Sequence, residues 1–322
     1  MKPCFLGAFT LDGEPIWSVG DKDFTAADAD GAEMLGTLPP DRPGPVAIYD
    51  IDQDGRSEVI CFLIDFGVKR TSKWVLDAIE LVILDGRTGA IKQKAAPPEL
   101  RRCHAYVDGE PHISNYVHQR LMIANFTGNQ RLPQVEPFAS LKGKLREIPH
   151  CGDFVVKLGN DLLAFNHELE ILWRYTNQWY RYPAHSAYIP AIGDLDGDGR
   201  DEVNCGHFGL DHDGSVLWEK YLGDNMDAVL VEEWDGDERN GKEAILSGWG
   251  QVLDGQGNII LKLGEEVVPH GQEIRYGDLR LDSAGPELVI RYNGHHPDLM
   301  VVGNSGEVLS RFQVDESPNN TG

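Results

Sequence analysis

Short apolar runs alternate with tight polar turns along the whole chain, and no window shows a sustained helical repeat of apolar residues. One recurring unit is an apolar strand, a turn of the Asp-x-Gly type and a second apolar strand that often ends in Trp. Asp-Gly and Asn-Gly turns between apolar runs are the strongest short-range signal of a β-hairpin. We predict hairpins of this kind at residues 5–17, 81–91, 163–173, 209–218, 252–260 and 301–309.

A second kind of hairpin has an acidic loop, seen most clearly at residues 194–202. Carboxylates stand at its first, third and fifth places, glycine at the sixth and glutamate at the ninth. Such a set of oxygen atoms can surround a hard cation, which is the coordination that calcium prefers. An EF-hand is the rival interpretation, but it needs its glutamate at the twelfth place and a helix on each side. The flanking apolar residues predict a strand, a tight loop and another strand instead.

The acidic loop is repeated, which argues against a chance acidic turn. Residues 50–58 have identical ligand spacing, and residues 233–243 have the same pattern with a small insertion. The predicted metal ligands are Asp50, Asp52, Asp54, Glu58, Asp194, Asp196, Asp198, Glu202, Glu233, Asp235, Asp237 and Glu243. Residues 125–129 and 278–287 keep the frame but lose ligands. Arg280 occupies a ligand position in the last loop, so we expect a buried salt bridge to replace the metal there.

The two kinds of hairpin alternate with a period of about forty to seventy residues, which is typical of a β-propeller with four strands in each blade. We therefore predict an all-β fold, a β-propeller of six to eight four-stranded blades with calcium-binding Asp-x-Asp-x-Asp-Gly loops. The prediction treats residues 1–322 as a single domain. Either the two ends complete one blade together and close the ring, or the chain forms part of a longer ring. Residues 318–322 contain no apolar strand, which favours the second arrangement, with an incomplete C-terminal blade.

Composition narrows the choice of partners and compartment. The formal net charge of −23 argues against a nucleic-acid or anionic-membrane partner, because Lys and Arg hold such partners by their phosphates. The five cysteines are widely spaced without a CxxC pair, which predicts free thiols. No signal-peptide pattern and no apolar stretch that could span a bilayer are present. We expect a cytoplasmic monomer, or a secreted protein if a leader was removed.

Candidate chemistry stands just upstream of the hairpins with acidic loops. His118, His185, Asn225 and His270 occur there at nearly the same offset. Equivalent positions in successive blades lie at equal height around the axis, so we expect these side chains to converge at the mouth of the channel. The alternative is that each histidine is a hydrogen-bonded structural residue. Nearby aromatic and cationic residues of the kind found in carbohydrate sites are Arg181, Tyr182, Tyr188, Arg275, Arg291, Tyr292 and His295.

Other interpretations of these residues stay open. Tyr182, Tyr188 and Tyr292 could instead pack between blades, and for Trp17, Trp173 and Trp218 at the hairpin ends packing is the prediction. The sequence contains no Gly-x-Ser-x-Gly elbow, no phosphate-binding glycine loop and no His-Glu-x-x-His motif. Serine hydrolase, nucleotide-dependent and zinc-peptidase chemistry therefore lose their usual support, whereas a carboxylate pair for glycoside hydrolysis stays possible.

The Asp-x-Asp-x-Asp-Gly-x-x-Glu motif at Asp50 and Asp194 resembles the FG-GAP calcium repeats of β-propellers. Together with the Asp-x-Gly hairpins and the stretches 270–278 and 283–287, the chain resembles rhamnogalacturonan lyases of polysaccharide lyase family eleven. The resemblance implies β-elimination at a rhamnose–uronic acid linkage of a pectic polysaccharide, structural calcium ions in an eight-bladed ring, and metal near the site. The chain departs from that family because its hairpins account for fewer than eight blades and the family's N-terminal extra domain is missing.

The implied reaction assigns roles to the candidate residues. A base must remove a proton beside a carboxylate, and a cation must neutralise that carboxylate. We expect His185, His270 or His118 as base or metal ligand, and Arg291 or Arg275 on the carboxylate. Tyr182 or Tyr188 would serve as stacking platform or proton donor, and the substrate would be an acidic poly- or oligosaccharide. The alternatives are a non-catalytic carbohydrate- or protein-binding FG-GAP propeller, since adhesion propellers share these loops, and a glycoside hydrolase on the same fold.

Overall fold

The computed structural model describes residues 5–20, 45–64, 79–101, 106–107, 110–111, 120–128, 130–131, 149–158, 160–180, 183–237, 239–282, 285–292 and 298–313. His118, Arg181, Tyr182 and His295 lie outside these described residues, as do Cys4 and Cys103. Among the described cysteines, Cys61 is a buried free thiol, as predicted. None of the described residues forms a helix long and apolar enough to cross a membrane.

The chain divides into two compact units, each described here by itself. The first unit comprises residues 1–125 and 129–176, and the second comprises residues 126–128 and 177–322. The elements of the first unit are β1 (Phe5–Phe9), β2 (Pro15–Gly20), β3 (Val46–Tyr49), β4 (Glu58–Ile64), β5 (Ile79–Asp85), β6 (Ile91–Ala95), α1 (Pro98–Arg101), β7 (Tyr106–Val107), β8 (Glu110–Pro111), β9 (Arg120–Ala124), β10 (Gln130–Arg131), β11 (Pro149–His150), β12 (Asp153–Leu158), β13 (Asp161–Asn166) and β14 (Ile171–Thr176).

The second unit consists of strands alone within its described residues. They are β15 (Ala191–Gly193), β16 (Glu202–Asn204), β17 (Phe208–Leu210), β18 (Val216–Glu219), β19 (Val229–Glu232), β20 (Glu243–Leu246), β21 (Gln251–Leu253), β22 (Ile259–Lys262), β23 (Gly271–Gly277), β24 (Glu287–Tyr292), β25 (Asp298–Val302) and β26 (Val308–Gln313).

Antiparallel four-stranded sheets dominate both units. Over the described residues the four-stranded sheets have the orders β3-β4-β5-β6, β9-β12-β13-β14, β15-β16-β17-β18, β19-β20-β21-β22 and β23-β24-β25-β26. The pairs β1-β2, β7-β8 and β10-β11 form two-stranded sheets. The prediction of an all-β chain with four strands in each repeat is therefore confirmed, and the architecture is that of a propeller-like all-β fold.

All six hairpins predicted from the Asp-x-Gly turns are present, and each has a β-bulge at the same place. In every case one residue of the last strand is left without a partner on the strand before it. A bulge of this kind bends the strand and increases its twist. The unpaired residues are Ile16, Lys92, Leu172, Leu217, Ile260 and Leu309.

Each unit has its own apolar core between sheets. The first is built around fully buried side chains such as Leu81, Phe154 and Phe165, and the two phenyl rings stack with their centroids 5.5 Å apart. The hairpin-end tryptophans pack as predicted. Trp173 is 8% exposed and Trp218 is 5% exposed. Trp218 donates a hydrogen bond from Nε1 to the carbonyl oxygen of Gly206 at 3.1 Å.

The antiparallel order places the connections at two opposite edges of each sheet. The acidic loops join the first and second strands, and the Asp-x-Gly turns join the third and fourth, so both lie at one edge, called here the loop edge. The linkers between sheets and the turns between second and third strands lie at the other edge, called the linker edge. In the second unit the linkers are residues 177–190, 220–228 and 263–270.

Candidate functional site

Titratable side chains from three successive linkers meet at the linker edge of the second unit. The linker before β15 contributes His185 and Tyr188, the linker before β19 contributes Asp224 and Asp227, and the linker before β23 contributes His270. These five residues are called the linker cluster. Because each linker enters its sheet in the same way, positions at equal offset are brought close together in space.

His185 and Tyr188 form a hydrogen-bonded pair. His185 is 8% exposed, and its Nδ1 lies 3.1 Å from the carbonyl oxygen of Ser186. A carbonyl only accepts, so Nδ1 carries the proton in the neutral ring, and Nε2 accepts the hydrogen bond that the Tyr188 hydroxyl donates at 2.8 Å. Burial, reinforced by the negative charge of Asp227, raises the pKa of Tyr188 to about 12. Tyr188 therefore keeps its proton at neutral pH.

Asp227 lies between two imidazole rings. Its Oδ1 is 3.5 Å from Nε2 of His185, and its Oδ2 is 3.4 Å from Nε2 of His270. The other ring nitrogen of His270, Nδ1, is 2.6 Å from Oδ2 of Asp224. Hydrogen bonds and charge from Asp227 and Asp224 outweigh partial burial and raise the pKa of His270 to about 9. The contacts therefore form a continuous chain from Tyr188 through His185, Asp227 and His270 to Asp224.

Asn225 fixes the linkers to one another. Its Oδ1 accepts a hydrogen bond from the backbone N–H of His185 at 3.3 Å, and the N–H of Met226 donates to the carbonyl oxygen of His185 at 3.0 Å. Asn225 is 3% exposed. The structure thus brings it to His185, where it holds the backbone of the linker in place.

A row of four rings lies at the same edge of the second unit. His207 stacks on Trp179 at a centroid distance of 4.6 Å and on Tyr221 at 5.8 Å, and Trp249 meets Tyr221 edge-on at 6.0 Å. Tyr221 is 56% exposed, and the Lys262 ammonium lies 5.3 Å from the centroid of Trp249. We call Trp179, His207, Tyr221 and Trp249 the aromatic row. It has the partly exposed rings and the cation that suit a polar ligand with apolar faces.

His207 is the buried member of this row. Burial, aided by the charge of His185, lowers the pKa of His207 to about 4, so its ring is neutral at physiological pH. Its Nδ1 accepts the backbone N–H of Leu222 at 3.2 Å. Its Nε2 therefore carries the proton, and this atom has no hydrogen-bond partner among the described residues.

The remaining sequence-predicted residues lie on β23 and β24. Arg291 donates from Nη1 to Oε1 of Gln272 at 3.3 Å. Gln272 comes two residues after His270, so this contact lies near the linker edge. Arg275 forms an ion pair with Glu273 at 3.1 Å, and its side chain is 68% exposed. Tyr292 is 8% exposed in the apolar core and donates to Asp298 at 2.7 Å. Core packing therefore accounts for Tyr292.

Several residues of the site were not predicted from the sequence. Asp224 and Asp227 flank Asn225, whose offset was recognised, so the same repeat frame could have pointed to them. No comparable signal marks His207, Tyr221 or Trp249, because rings in turns are common and their stacking depends on how successive sheets pack.

The acidic loops share a backbone clip at the loop edge. In each, one carboxylate oxygen of the last glutamate accepts the N–H of the second loop residue, at 3.1 Å for Glu58, 2.6 Å for Glu202, 2.6 Å for Glu243 and 2.7 Å for Glu287. This contact holds the loop closed and turns the other carboxylate oxygen inward.

Carboxylates in three of these loops are close enough to bind one cation, with ligand atoms within 4.8 Å of one another. The groups are Asp50 with Asp52 and Glu58, Asp194 with Asp196 and Glu202, Glu233 with Asp235 and Glu243, and Asp198 with Glu202 and His212. His212 was not among the predicted ligands. Asp237 instead pairs with Arg239 at 2.6 Å.

The donor set of the Asp194 and Glu233 loops fits a cation. Oε1 of Glu202 is buried without a hydrogen-bond partner in the described part of the chain. Burial and the charges of Asp196 and Asp194 raise the pKa of Glu202 to about 9. Burial raises the pKa of Glu243 to about 7 in the same way. A bound cation would remove both penalties.

Two loops differ from that pattern. In the Asp50 loop the Lys92 ammonium lies 2.6 Å from Oδ2 of Asp52 and 2.9 Å from Oε1 of Glu58. In the last loop Arg280 pairs with Asp282 at 2.7 Å, but the Asp282 side chain is 73% exposed. The expected salt bridge forms, and the expectation that it is buried is wrong, because the long Arg280 side chain reaches outward.

Solved structures of other proteins share this fold. The structure superposes on rhamnogalacturonan lyase YesW with a TM-score of 0.68, at 19% identity over 98% of this chain and 52% of that one. The chain shares the fold of rhamnogalacturonan lyases. For the Bacillus licheniformis rhamnogalacturonan lyase PL11 the TM-score is 0.66, at 18% identity over 98% of this chain and 52% of that one.

A third structure extends the same likeness. The exotype rhamnogalacturonan lyase YesX gives a TM-score of 0.67, at 18% identity over 95% of this chain and 50% of that one. The chain thus spans about half the length of the structures that it matches. No protein-family model and no curated protein sequence matches it.

Proposed function

We propose that the chain belongs to a lyase that cleaves rhamnose–uronic acid linkages of a rhamnogalacturonan-type pectic substrate by β-elimination. The observation that carries the proposal is the continuous chain of contacts through the linker cluster, at an edge where three linkers converge. The shared fold is consistent with it. In this proposal six to eight blades form the propeller, and calcium occupies acidic loops at the loop edge.

The reaction sets three chemical requirements. A base removes the proton on the carbon beside the uronate carboxylate, and the electron pair forms a carbon–carbon double bond as the next carbon loses its glycosidic oxygen. The leaving oxygen takes a proton, and a cation must neutralise the carboxylate while negative charge develops on it.

His185 and Tyr188 meet the proton-transfer requirement. In the proposed cycle Nε2 of His185 takes the carbon-bound proton, and Tyr188, which is protonated at neutral pH, gives its proton to the leaving oxygen. The two atoms are 2.8 Å apart, so His185 then returns a proton to Tyr188 and the pair is restored. Asp227 faces the same nitrogen and stabilises the imidazolium that forms.

In this proposal the other residues of the site position Asp227, neutralise the uronate carboxylate or contact the sugar rings. His270, a cation below its pKa of about 9, holds Asp227 in place together with Asp224. Arg291, near the linker edge, is the proposed partner of the uronate carboxylate. The aromatic row would provide stacking surfaces for neighbouring sugar rings, since sugars present apolar C–H faces. His118, Arg181, Tyr182 and His295 stay candidates for further substrate contacts.

The aromatic row also favours a second candidate, a non-catalytic carbohydrate-binding propeller. Stacking rings suffice for that function, and no proton transfer is needed. It predicts saturable binding of the oligosaccharide with no product, and unchanged binding when Tyr188 loses its hydroxyl.

The deciding experiment is incubation with rhamnogalacturonan oligosaccharides in calcium buffer, followed by ultraviolet absorbance and mass spectrometry. A lyase yields an unsaturated uronate, and the product masses sum to that of the substrate. A hydrolase yields saturated products whose masses sum to substrate plus one water. Binding without product would support the second candidate, and saturated products would contradict the lyase proposal.

A further inference from the structure

We propose that the Asp50 loop takes no calcium, because the Lys92 ammonium supplies the positive charge of that site from within the chain. Glu202 and Glu243, the last glutamates of the Asp194 and Glu233 loops, form no ion pair with a lysine or arginine among the described residues, and these loops depend on a metal ion. Arg239 of the Glu233 loop pairs with Asp237 instead. The inference concerns the loop edge of the first unit and does not rest on the proposed lyase activity.

The ammonium is held by most of the predicted ligand set. Nζ of Lys92 lies 2.6 Å from Oδ2 of Asp52, 2.9 Å from Oε1 of Glu58 and 3.4 Å from Oδ2 of Asp54. Glu58 is 1% exposed, and the Lys92 side chain is 26% exposed. A lysine ammonium has three donor hydrogens, so these contacts use its full bonding capacity.

Lys92 bonds to one of the oxygens that a metal would need, Oε1 of Glu58, whereas Oδ1 of Asp50 in the same loop is buried without a hydrogen-bond partner among the described residues. The last glutamate of each acidic loop gives one oxygen to the backbone clip and turns the other inward. In Glu202 and Glu287 that inward oxygen, Oε1, is buried without a hydrogen-bond partner among the described residues. In Glu58 the equivalent Oε1 accepts from Lys92.

Comparison of the six hairpins shows that lysine is not required by the backbone at this position. Lys92 is the unpaired residue of the β-bulge between β5 and β6. At the equivalent bulge the other hairpins have Ile or Leu, namely Ile16, Leu172, Leu217, Ile260 and Leu309. Lys92 thus stands where the other hairpins have an aliphatic residue, in a sheet whose acidic loop, residues 50–58, has the full spacing of metal ligands.

An ammonium and a calcium ion exclude each other from this loop. Calcium needs about six to eight oxygen ligands at about 2.3–2.6 Å, and an ammonium already bonded to Asp52 and Glu58 occupies that space with like charge. Metal binding would have to expel Lys92 from its partners. The first acidic loop is therefore expected to stay closed when calcium is removed.

Replacement of Lys92 by leucine tests the inference through metal stoichiometry, measured on the full chain by equilibrium dialysis and elemental analysis. K92L restores the aliphatic residue of the other hairpins, so one more calcium ion should bind per chain than in the wild type. Its melting temperature should fall further in excess EDTA than the wild-type value does. The control K94Q, which loses an ion pair with Glu80 outside the loop, should leave the stoichiometry unchanged.

The reciprocal variant places a lysine at the bulge beside a loop whose last glutamate, Glu243, has no ammonium partner among the described residues. I260K puts an ammonium at the equivalent bulge next to the Glu233 loop and should lower the stoichiometry by one ion per chain.

If K92L does not fold, the wild-type loop can be tested directly with D52N, which should bind as much calcium as the wild type. Loss of one bound calcium in D52N, or no gain in folded K92L, would overturn the proposal.

Discussion

The hydroxyl oxygen of Tyr188 lies 2.8 Å from Nε2 of His185. Y188F removes this hydrogen bond and the proposed proton donor while keeping the ring, whose centroid lies 4.3 Å from that of His185 in a tilted arrangement. We expect product formation to fall by a factor of about 10² to 10⁴, the usual contribution of general acid–base catalysis. The ultraviolet assay measures this loss, and binding of the oligosaccharide should change little.

The matched control is Y221F, because the exposed Tyr221 ring belongs to the aromatic row outside this proton-transfer pair. Y221F should keep its activity within about twofold, since a hydroxyl exposed to water contributes little. Equal activity of Y188F and wild type would remove Tyr188 from the mechanism.

His270 should make stability depend on pH. Its folded-state pKa of about 9 lies above the ordinary value of 6.5, so its charged contacts with Asp224 and Asp227 contribute fully below about pH 6.5. That contribution is lost as pH rises through about 9. The difference in free energy of unfolding between wild type and H270Q should therefore shrink from pH 6 to pH 10, as measured by urea denaturation.

H167Q provides the comparison for loss of a histidine elsewhere, since His167 lies in the β13–β14 turn at the loop edge of the first unit. A difference for H270Q that grows with pH would contradict the assigned ion pairs.

Calcium should stabilise the protein through the Asp194 and Glu233 loops. A ligand at about 100 times its dissociation constant adds about 2.7 kcal/mol per site, so excess EDTA should lower the melting temperature. E202Q removes a buried carboxylate, and burial opposes the ionisation of that carboxylate. The variant should match or exceed the wild type in EDTA and fall below it in calcium, as followed by thermal melts.

The control for this reversal in the order of melting temperatures is D213N. Asp213 lies in the Asp-x-Gly turn between β17 and β18, outside the ligand groups. It should respond to calcium like the wild type. Melts of the wild type that coincide in calcium and EDTA would count against metal binding by these loops.

Position 257 requires glycine for two reasons, its backbone conformation and its close contact with Trp218. It has φ of +79°, and an added Cβ would lie 2.6 Å from Cβ of Trp218. G257A should lose about 2–4 kcal/mol, combining left-handed backbone strain with overpacking. Gly264 has φ of +88° with open space around it, so G264A should lose only about 1–2 kcal/mol. Equal losses in urea denaturation would mean that Trp218 simply moves aside.

Trp249 should contribute to carbohydrate binding if the aromatic row holds sugar rings. W249A is expected to weaken oligosaccharide binding by about tenfold, corresponding to an aromatic contact worth about 1.4 kcal/mol. Calorimetry measures the affinity, and F312A, which removes another exposed ring on β26, should bind like the wild type. Unchanged affinity in W249A would place the sugar elsewhere.

Local chemistry explains what could be predicted from the sequence. Each hairpin is set by a turn of a few neighbouring residues, and the acidic loops are set by ligand spacing within about ten residues. These features do not depend on distant parts of the chain, so the six hairpins and the four-stranded repeat were recognised correctly. The offset of His185, Asn225 and His270 followed from the same repeat.

Tertiary packing decided the rest, because it joins residues that no local pattern connects. Asp227 is one acidic residue among 52, and only the meeting of three linkers places it between His185 and His270. Tyr292 could have faced a ligand, but the packing of β24 buries it. The sequence alone predicted that the Asp50 loop resembles a calcium site. Only the folded β3–β6 sheet shows that Lys92, 34 residues beyond Glu58, brings its ammonium into that loop.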